Sequence, residues 1–244
     1  MWFFPRKKPK VQTASHLKVD LHSHLIPGID DGSQSMEESM KLIRGLSELG
    51  YQKMITTPHI MSDAYRNDAE IIYAGLDRIR AEVAKENIPV EIEAAAEYYL
   101  DDGFYQELKK DRVLTFGERY LLFETSYYSK PLQLEDMIFT IGTAGYQPVM
   151  AHPERYRYIK DPESEYGRLK ELGVMFQINL NSLGGHYGKQ AKNLAEFLVD
   201  AGMVDFLGSD LHHMKQLQSL EKILSQDGYL KIFEKNEIQN NTLL

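Results

Sequence analysis

The sequence predicts a single α/β domain in which parallel strands and helices alternate and close into a (β/α)7 TIM-like barrel. Strand-like and helix-like segments alternate along the chain after residue 16, which is typical of parallel α/β folds. Polar side chains follow the C-terminal ends of most predicted strands, and in a barrel these ends converge on one face. An open doubly wound sheet would gather only a few of them at one crevice. Neither common Gly-rich phosphate loop is present, so no nucleotide cofactor is expected.

Composition narrows the class of protein. The 244 residues are 43% hydrophobic, which is enough for one substantial core. The net charge of −8 argues against nucleic-acid binding, which requires a basic surface. The chain contains no cysteine, so disulfides, cysteine-ligated metals and cysteine nucleophiles are excluded. The sequence has no apolar run of membrane-spanning length and no secretory signal, and we expect a cytoplasmic protein.

We expect residues 1–15 to form a flexible N-terminal tail and residues 16–244 to form the folded domain. The tail joins an aromatic start, Met1 to Phe4, to a basic run at 6–10. The ordinary interpretation is a disordered terminus. The alternative is a weak contact with a partner or with an anionic membrane surface, which would place the protein at the inner face of the membrane. The sequence sets no oligomeric state.

Seven strands are predicted from short apolar or alternating runs. They cover residues 17–21, 53–57, 90–95, 120–123, 148–151, 174–178 and 204–208. Helices are predicted where apolar residues recur at helical spacing. They cover residues 36–49, 68–85, 104–110, 134–144, 165–172, 190–201, 214–225 and 227–235. Ser35 is the predicted N-cap of the first helix, with Glu38 completing a capping box, and Gly50 ends that helix.

The first predicted strand leads into the stretch Asp20-Leu21-His22-Ser23-His24. In an extended backbone, side chains two residues apart share a face, so His22 and His24 would point at one place. A single histidine here would ordinarily be structural. Two at this spacing, followed by Asp30 and Asp31, predict a metal site.

Further His, Asp and Glu residues follow the other predicted strands. The nine candidate metal ligands are His22, His24, Asp31, His59, Glu97, Glu124, His152, Asp210 and His212. Nine ligands exceed the needs of one tetrahedral ion, so we expect two or three divalent ions with a carboxylate bridging a pair. Imidazole and carboxylate suit Mn, Fe, Zn, Mg or Co, and the ligand types do not choose among these metals. Manganese is our first expectation. Such sites typically activate water and clamp a phosphoryl group for in-line attack.

Other residues near the predicted strand ends suit substrate binding. Arg155 offers a planar, bidentate grip on phosphate oxygens. Several tyrosines could stack on a phenyl phosphate, although each could equally pack the barrel rim. These are Tyr65, Tyr98, Tyr99, Tyr127 and Tyr128. Asp20 and Asp30 are candidates for orienting the imidazoles, and a structural or solvated role is equally open for each. We expect no role for His186 or His213.

The motifs resemble, in order and spacing, those of the PHP (polymerase and histidinol phosphatase) family. The closest resemblance is to its branch of bacterial capsule and exopolysaccharide protein-tyrosine phosphatases, and it extends from about residue 17 to 235. The resemblance implies a distorted barrel of about seven strands with a trinuclear site. The motifs that carry it are His22-Ser23-His24, Asp30-Asp31-Gly32, Thr57-Pro58-His59, Ala96-Glu97-Tyr98-Tyr99, Phe123-Glu124, Ala151-His152-Pro153-Glu154-Arg155 and Ser209-Asp210-Leu211-His212.

The resemblance also implies roles for single residues. Three ions would be held by three ligand sets, with Glu97 bridging the first two. The sets are His22, His24, Glu97 and Asp210; Glu97, Glu124 and His152; and Asp31, His59 and His212. The expected catalytic residues are Arg155, which corresponds to the phosphate-contacting arginine of the family, Glu97 and Asp210. The branch often carries a second arginine after the last histidine; here Lys215 is the candidate substitute. The expected substrate contacts are Arg155, Tyr98, Tyr127 and Lys215.

We therefore expect a metal-dependent protein-tyrosine phosphatase that hydrolyses phosphotyrosine by attack of a metal-activated water. By resemblance, its partner is the tyrosine-rich tail of a bacterial tyrosine kinase of capsule or exopolysaccharide assembly. Two alternatives stay open. One is a small-molecule phosphomonoesterase, such as one for histidinol phosphate. The other is a metal-stabilised regulatory module without turnover.

Overall fold

Parallel strands alternate with helices throughout the computed structural model, which describes residues 16–244. The predicted tail at residues 1–15, and its predicted membrane contact, lie outside the described residues. The strands are β1 Val19–Leu21, β2 Lys53–Thr56, β3 His59–Ile60, β4 Glu91–Ala94, β5 Glu97–Tyr99, β6 Tyr120–Glu124, β7 Gln147–Ala151, β8 Met175–Asn179 and β9 Phe206–Gly208.

Helices follow most of the strands. They are α1 Met36–Glu48, α2 Ala69–Lys85, α3 Asp102–Lys109, α4 Leu134–Thr143, α5 Pro162–Glu171, α6 Leu180–Leu183, α7 Lys189–Asp200, α8 Met214–Leu224 and α9 Asp227–Lys235. Two short 3-10 turns occur at Pro153–Arg155 and Asn240–Leu243. Among residues 16–244, no helix combines the length and the apolar character needed to cross a membrane.

The nine strands form seven staves, because two staves are interrupted. The strands pair in parallel as two sheets, β1-β2-β4 and β3-β5-β6-β7-β8-β9. β2 continues into β3 across Thr57 and Pro58, and proline has no N–H for a sheet ladder. β4 continues into β5 across Ala95 and Ala96. The two sheets therefore share two staves and form one curved surface.

The last stave returns to the first. Asp210 N donates to His22 O over 2.8 Å, and His24 N donates to Leu211 O over 3.0 Å. Gly208 allows this approach, because a Cβ there would lie 2.3 Å from Leu21 O. The predicted α/β barrel of about seven units is therefore confirmed, in a distorted form.

Asn240, in the final 3-10 turn, joins β1 to β9 lower in the barrel. Its Nδ2 donates to Val19 O over 3.0 Å and to Leu207 O over 2.7 Å. Its Oδ1 accepts from Leu207 N over 2.9 Å. One fully buried side chain thus makes the hydrogen bonds that neighbouring strands would ordinarily make with each other. We call this arrangement the Asn240 clasp.

Strand alternation divides the core into two parts. Outward-facing apolar residues pack against the helices, and the opposite faces form a smaller apolar cluster. Its buried members are Val19, Leu21, Ile55, Ala95, Phe116, Leu122, Val149, Ala151, Phe206 and Leu243. Leu122 and Glu124 lie two apart on β6 and share this inner face. The barrel interior is thus apolar below and polar at the C-terminal ends of the strands.

The predicted helices are present, with small shifts at their ends. Ser35 caps α1 as predicted, because its hydroxyl accepts from Glu38 N. Glu38 instead accepts from Gln34 N over 3.0 Å, so the predicted capping box is displaced by one residue. The prediction missed the short elements β3, β5 and α6.

Candidate metal centre

The nine predicted ligands meet at the C-terminal end of the barrel, around a cleft of about 600 Å³. They supply four overlapping groups whose nitrogen and oxygen atoms lie within 4.8 Å of one another. These groups are His24, Asp31, His59 and His212; His22, Glu97 and His152; His22, His24 and Asp210; and His59, Glu97 and Glu124. The structure therefore brings all nine side chains to one place.

His22 and His24 converge, but the predicted strand geometry is not the reason. β1 ends at Leu21, and His22 has a left-handed backbone with φ of 85°. His152 and Asp210 are also left-handed, with φ of 34° and 48°. This region is unfavourable for residues other than glycine, and such strain concentrates at functional sites. The left-handed backbone at these three residues, and not the alternation of an extended strand, therefore points their side chains toward the cleft.

A chain of amides fixes the tautomer of His22. Asn179 Nδ2 donates to Asp210 Oδ2 over 2.6 Å, and Gln177 Nε2 donates to Asn179 Oδ1 over 3.0 Å. Gln177 therefore presents its oxygen to His22 Nδ1, 2.6 Å away, and this nitrogen carries the proton. When a cation displaces the second proton of the ring, His22 Nε2 presents its lone pair to the centre.

Asp30 acts on His24 in the same way, as predicted for this residue. Asp30 Oδ2 lies 2.8 Å from His24 Nδ1 and also accepts from His59 N over 3.2 Å. His24 Nε2 then faces His22 Nε2 over 3.3 Å. His212 Nδ1 lies 3.0 Å from the carbonyl of Asp210, which directs its Nε2 to the same centre.

Of the two roles open for Asp20, the structure shows the structural one, and this carboxylate does not orient an imidazole. Its carboxylate accepts from Ser209 N over 3.0 Å and from Ser209 Oγ over 2.8 Å. Asp20 thus holds β1 against the end of β9. Burial raises the pKa of Asp20 to about 7, although the Ser209 hydrogen bonds oppose the shift.

The two oxygens of Asp210 have separate surroundings. Oδ2 accepts from Asn179, from Arg155 Nη1 over 2.8 Å and from the Tyr187 hydroxyl over 3.2 Å. Oδ1 faces imidazole nitrogens of His22, His24 and His212 at 3.5, 3.6 and 3.4 Å. Oδ1 is therefore the atom left for a cation.

Glu97 lies at the middle of the cluster and is fully buried. Its Oε2 lies 3.1 Å from both His22 Nε2 and His59 Nδ1. Its Oε1 lies 2.8 Å from His152 Nε2. Glu124 Oε1 lies 3.2 Å from His59 Nδ1. Because the two Glu97 oxygens face different partners, this carboxylate has the placement of a bridging ligand.

Carboxylates and imidazoles shift one another's proton affinity. Burial alone would lower the pKa of His22, but Glu97 and Asp210 outweigh it and raise the pKa to about 9. The pKa of His59 is raised in the same way against burial, chiefly by Glu97. Burial would raise the pKa of Glu97, but His22, His59 and His152 hold it well below its usual range. Protons and metal cations compete for such nitrogens.

This donor set fits divalent cations. Two ligands about 2.1 Å from one ion lie about 3.0–3.4 Å apart, and the two facing Nε2 atoms of His22 and His24 are separated by 3.3 Å. His59 Nδ1 and His152 Nδ1 are buried without a hydrogen-bond partner in the described part of the chain. The His59 atom nevertheless lies close to two carboxylates, as a shared ligand sphere requires.

Arg155 reaches the edge of the cleft between two aromatic rings. Its guanidinium carbon lies 4.6 Å from the ring centre of Tyr127 and 4.2 Å from that of Tyr187. Burial would lower its pKa, but Asp210 outweighs burial and keeps the group charged. Since Nη1 is bound to Asp210, the other guanidinium N–H groups are available to an anion in the cleft.

The other predicted substrate contacts have different outcomes. Tyr127 and Lys215 line the cleft, but the prediction for Tyr98 is wrong. Tyr98 is 1% exposed, and its hydroxyl accepts from Leu114 N. It alternates with Glu97, so it points away from the barrel interior. The remaining tyrosines and two further histidines also line the cleft, namely Tyr65, Tyr99, Tyr128, His186 and His213.

Apart from Asp30, the residues that support the ligands were not predicted from the sequence. Gln177, Asn179, Tyr187 and Gln216 each contact a candidate ligand or its supports. Gln177 and Asn179 lie two apart at the end of a predicted strand, and their amides were a signal of an inward-facing polar pair. Tyr187 lies beyond the strand ends and carried no such signal.

Comparison with known proteins places these features in a family. A family model described as capsular polysaccharide synthesis, CpsB/CapC, matches residues 18–236. Tyrosine-protein phosphatase YwqE of Bacillus subtilis (strain 168) is 32% identical over 198 residues, which cover 81% of this chain and 78% of that protein. Putative tyrosine-protein phosphatase CapC of Staphylococcus aureus is 26% identical over 216 residues, covering 88% of this chain and 85% of that protein.

The fold is also similar to a solved structure. This chain matches a chain from the crystal structures of YwqE from Bacillus subtilis and CpsB from Streptococcus pneumoniae, with a TM-score of 0.80 and 29% identity. Those two proteins are described as unique metal-dependent tyrosine phosphatases. The match covers 93% of this chain and 94% of that chain.

Proposed function

This chain belongs to the CpsB/CapC family of capsular polysaccharide synthesis, and from that premise we propose that it is a metal-dependent tyrosine-protein phosphatase. The observation that carries the proposal is the meeting of nine His, Asp and Glu side chains beside one charged arginine in an open cleft. Relatives that the chain matches over about four fifths of its length are named tyrosine-protein phosphatases.

We assign the nine side chains as ligands of two or three divalent ions, with manganese first. His22, His24 and Asp210 would hold one ion. His24, Asp31, His59 and His212 would hold a second, and Glu97 with Glu124 or His152 a third. Glu97 would be shared between two of these sets, because its oxygens face different imidazoles. Imidazole and carboxylate ligands suit manganese, iron and zinc.

The protein's own groups divide the remaining work. Bound divalent ions would supply positive charge beside the phosphoryl oxygens and a water of lowered pKa. Arg155 binds the phosphate through the N–H groups that Asp210 does not use. Tyr127 and Tyr187 restrict the guanidinium plane, and the tyrosines at the rim can contact the phenyl ring of the substrate. The pathway needs no cysteine, in keeping with the sequence.

We propose that the physiological substrate is phosphotyrosine on a tyrosine kinase of capsule or exopolysaccharide biosynthesis. The family description supports the setting, and the open cleft suits a phosphate attached to a polypeptide. A free small phosphomonoester, such as histidinol phosphate, and a regulatory module without turnover are the alternatives that the test below distinguishes.

The test compares substrates under metal control. Purified protein loaded with manganese should hydrolyse phosphotyrosine peptides with a higher kcat/KM than histidinol phosphate, and a thiol-blocking reagent should have no effect. Excess chelator should abolish turnover, and added manganese should restore it. His22→Ala should lose turnover, whereas Lys41→Ala on the exposed face of α1 should retain it. Full activity in excess chelator would contradict the proposal.

A further inference from the structure

The cleft at the metal centre continues into a second cavity with a distinct charge. This cavity has a volume of about 420 Å³, and we call it the basic groove. It shares Tyr127, Tyr128, Arg155 and Tyr187 with the cleft. Its outer wall is formed by Arg157 and by the first turn of α7. A polypeptide whose phosphotyrosine enters the cleft therefore has this groove directly beside it.

Two cations in the groove have no carboxylate partner among residues 16–244. Arg155 is paired with Asp210, but within residues 16–244 neither Arg157 nor Lys189 lies within ion-pair distance of a carboxylate. The one carboxylate that lines the groove is Glu154. Its Oε1 is engaged by Asn179 N at 3.0 Å and by Ser182 Oγ at 2.6 Å, on the interior side.

The groove also holds Arg157 in place. Arg157 N donates to Tyr127 O over 2.7 Å, so the backbone of this residue is fixed to the rim of the cleft. Its guanidinium carbon lies 5.0 Å from the ring centre of Tyr128, a cation–π arrangement. The positive end of the α7 dipole adds to the same sign of potential. These features concentrate positive charge in a protein whose net charge is −8.

A second groove beside the cleft provides the contrast. It shares Met61 and Tyr65 with the cleft and has a volume of about 620 Å³. Four carboxylates and two arginines line it, and one of these arginines, Arg112, is paired with Glu107 at 2.8 Å. Of these two grooves, the basic groove is therefore the one that carries unpaired positive charge.

We propose that the basic groove binds an anionic side chain of the substrate polypeptide, a few residues from the phosphotyrosine in the cleft. Arg157 and Lys189 are its specificity-determining residues. The recognised chemistry is a carboxylate or a second phosphate on the same polypeptide, since both pair with arginine and lysine. This inference rests on the proposed phosphatase function and adds to it a preference among substrates.

The experiment measures kcat/KM for a set of phosphotyrosine peptides. The reference peptide has only alanine residues on either side of the phosphotyrosine. A second set of peptides carries one glutamate at a single flanking position. A third set carries, at the same positions, a non-hydrolysable phosphonate analogue of phosphotyrosine. We expect an anion on one side to raise kcat/KM about three- to tenfold, or about 0.7–1.4 kcal/mol, because it can pair with both Arg157 and Lys189. The glutamate and phosphonate arms tell which anion is preferred.

Matched variants assign that preference to the groove. Arg157→Ala should lower the ratio of anionic to alanine-flanked peptide about two- to fivefold, and the double change with Lys189→Ala should bring it near one. Arg66→Ala, which removes the same charge from the second groove, should leave the ratio as it is. The inference would be overturned if the unchanged protein had the same kcat/KM for all peptides, or if Arg157→Ala and Arg66→Ala changed the ratio equally. It would also be overturned if Arg157→Ala lowered kcat/KM for free O-phosphotyrosine as much as for the anionic peptides. Failure to hydrolyse even the alanine-flanked peptide would instead contradict the proposed function.

Discussion

Asp30 controls how His24 presents itself to the metal centre. It accepts the His24 Nδ1 proton over 2.8 Å, and removing it would let the imidazole rotate or change tautomer. We expect Asp30→Ala to weaken manganese binding about 10- to 100-fold, the usual effect of losing such a support. Competition with a fluorescent chelator measures the affinity. Asp63→Ala removes an exposed carboxylate outside the centre, and equal affinities in the two variants would count against this role.

Tyr187 holds Arg155 from one side and donates to Asp210 Oδ2. Tyr187→Ala should raise KM for phosphotyrosine about fivefold or more with a smaller change in kcat, because the guanidinium loses part of its fixed orientation. Tyr187→Phe keeps the ring and should recover most of the loss. Steady-state kinetics at fixed metal content provide the measurement. If phenylalanine and alanine behave alike, the stacked ring is not the cause.

Residue types and spacing predicted the candidate ligands and one support, Asp30, but not the other supports. His22, His59 and Asp210 stand out because polar side chains are unusual directly after buried strands. Tyr187 acts through contacts with residues 23 or more positions away, which local patterns do not report. Tyr98 was assigned to the mouth although it follows the inward-facing Glu97. Strand alternation, applied beyond Glu97, would have corrected this assignment.

Short interrupted strands explain most of the differences between the strands predicted from the sequence and the strands in the structure. β3 has two residues and β5 has three, which is too short for periodicity to register. The sequence therefore predicted seven continuous strands, where the structure has seven staves with two breaks. Both breaks directly precede a candidate ligand, His59 or Glu97. The interruptions place these side chains at the start of a new strand instead of the end of an old one.

The Asn240 clasp is the element-scale feature that the sequence did not indicate. We expect Asn240→Ala to lower the free energy of unfolding by about 3 kcal/mol, because it leaves backbone groups of Val19 and Leu207 buried without partners. Urea unfolding measures the change. Asn241→Ala is the matched control, since Asn241 is exposed and bonds Lys18 N and His16 O, and it should cost less than about 1 kcal/mol. If Asn240→Ala and Asn241→Ala lowered the free energy of unfolding equally, the Asn240 clasp would not be a particular source of stability.

At the scale of the whole molecule, the candidate ligands come from six of the seven staves, and the remaining stave, β8, supplies Gln177 and Asn179. A cation bound to the candidate ligands would cross-link several staves of the barrel. Because these ligands meet only in the folded protein, the cation would bind the folded state and not the unfolded chain. At 100 times its dissociation constant, one ion adds about 2.7 kcal/mol, or about 5–10 °C in Tm for a chain of this size. Thermal melts with manganese or with chelator measure the shift.

The increase in Tm caused by manganese should become larger as the pH rises. The pKa of His22 is raised to about 9, so this imidazole holds a proton at neutral pH unless a cation displaces it. Binding therefore releases protons, and affinity rises as pH increases toward 9. We expect the manganese-dependent gain in Tm to be larger at pH 8.5 than at pH 6.5. A gain that does not change with pH, or that falls, would contradict this competition.

The Asn240 clasp has a consequence for folding. It joins Asn240 to Val19, 221 positions earlier in the chain. A contact between residues so distant in sequence forms late, because the entropy of closing the intervening chain must be overcome before the contact stabilises the fold. We therefore expect the seam between β1 and β9 to be among the last parts of the barrel to form during refolding from urea.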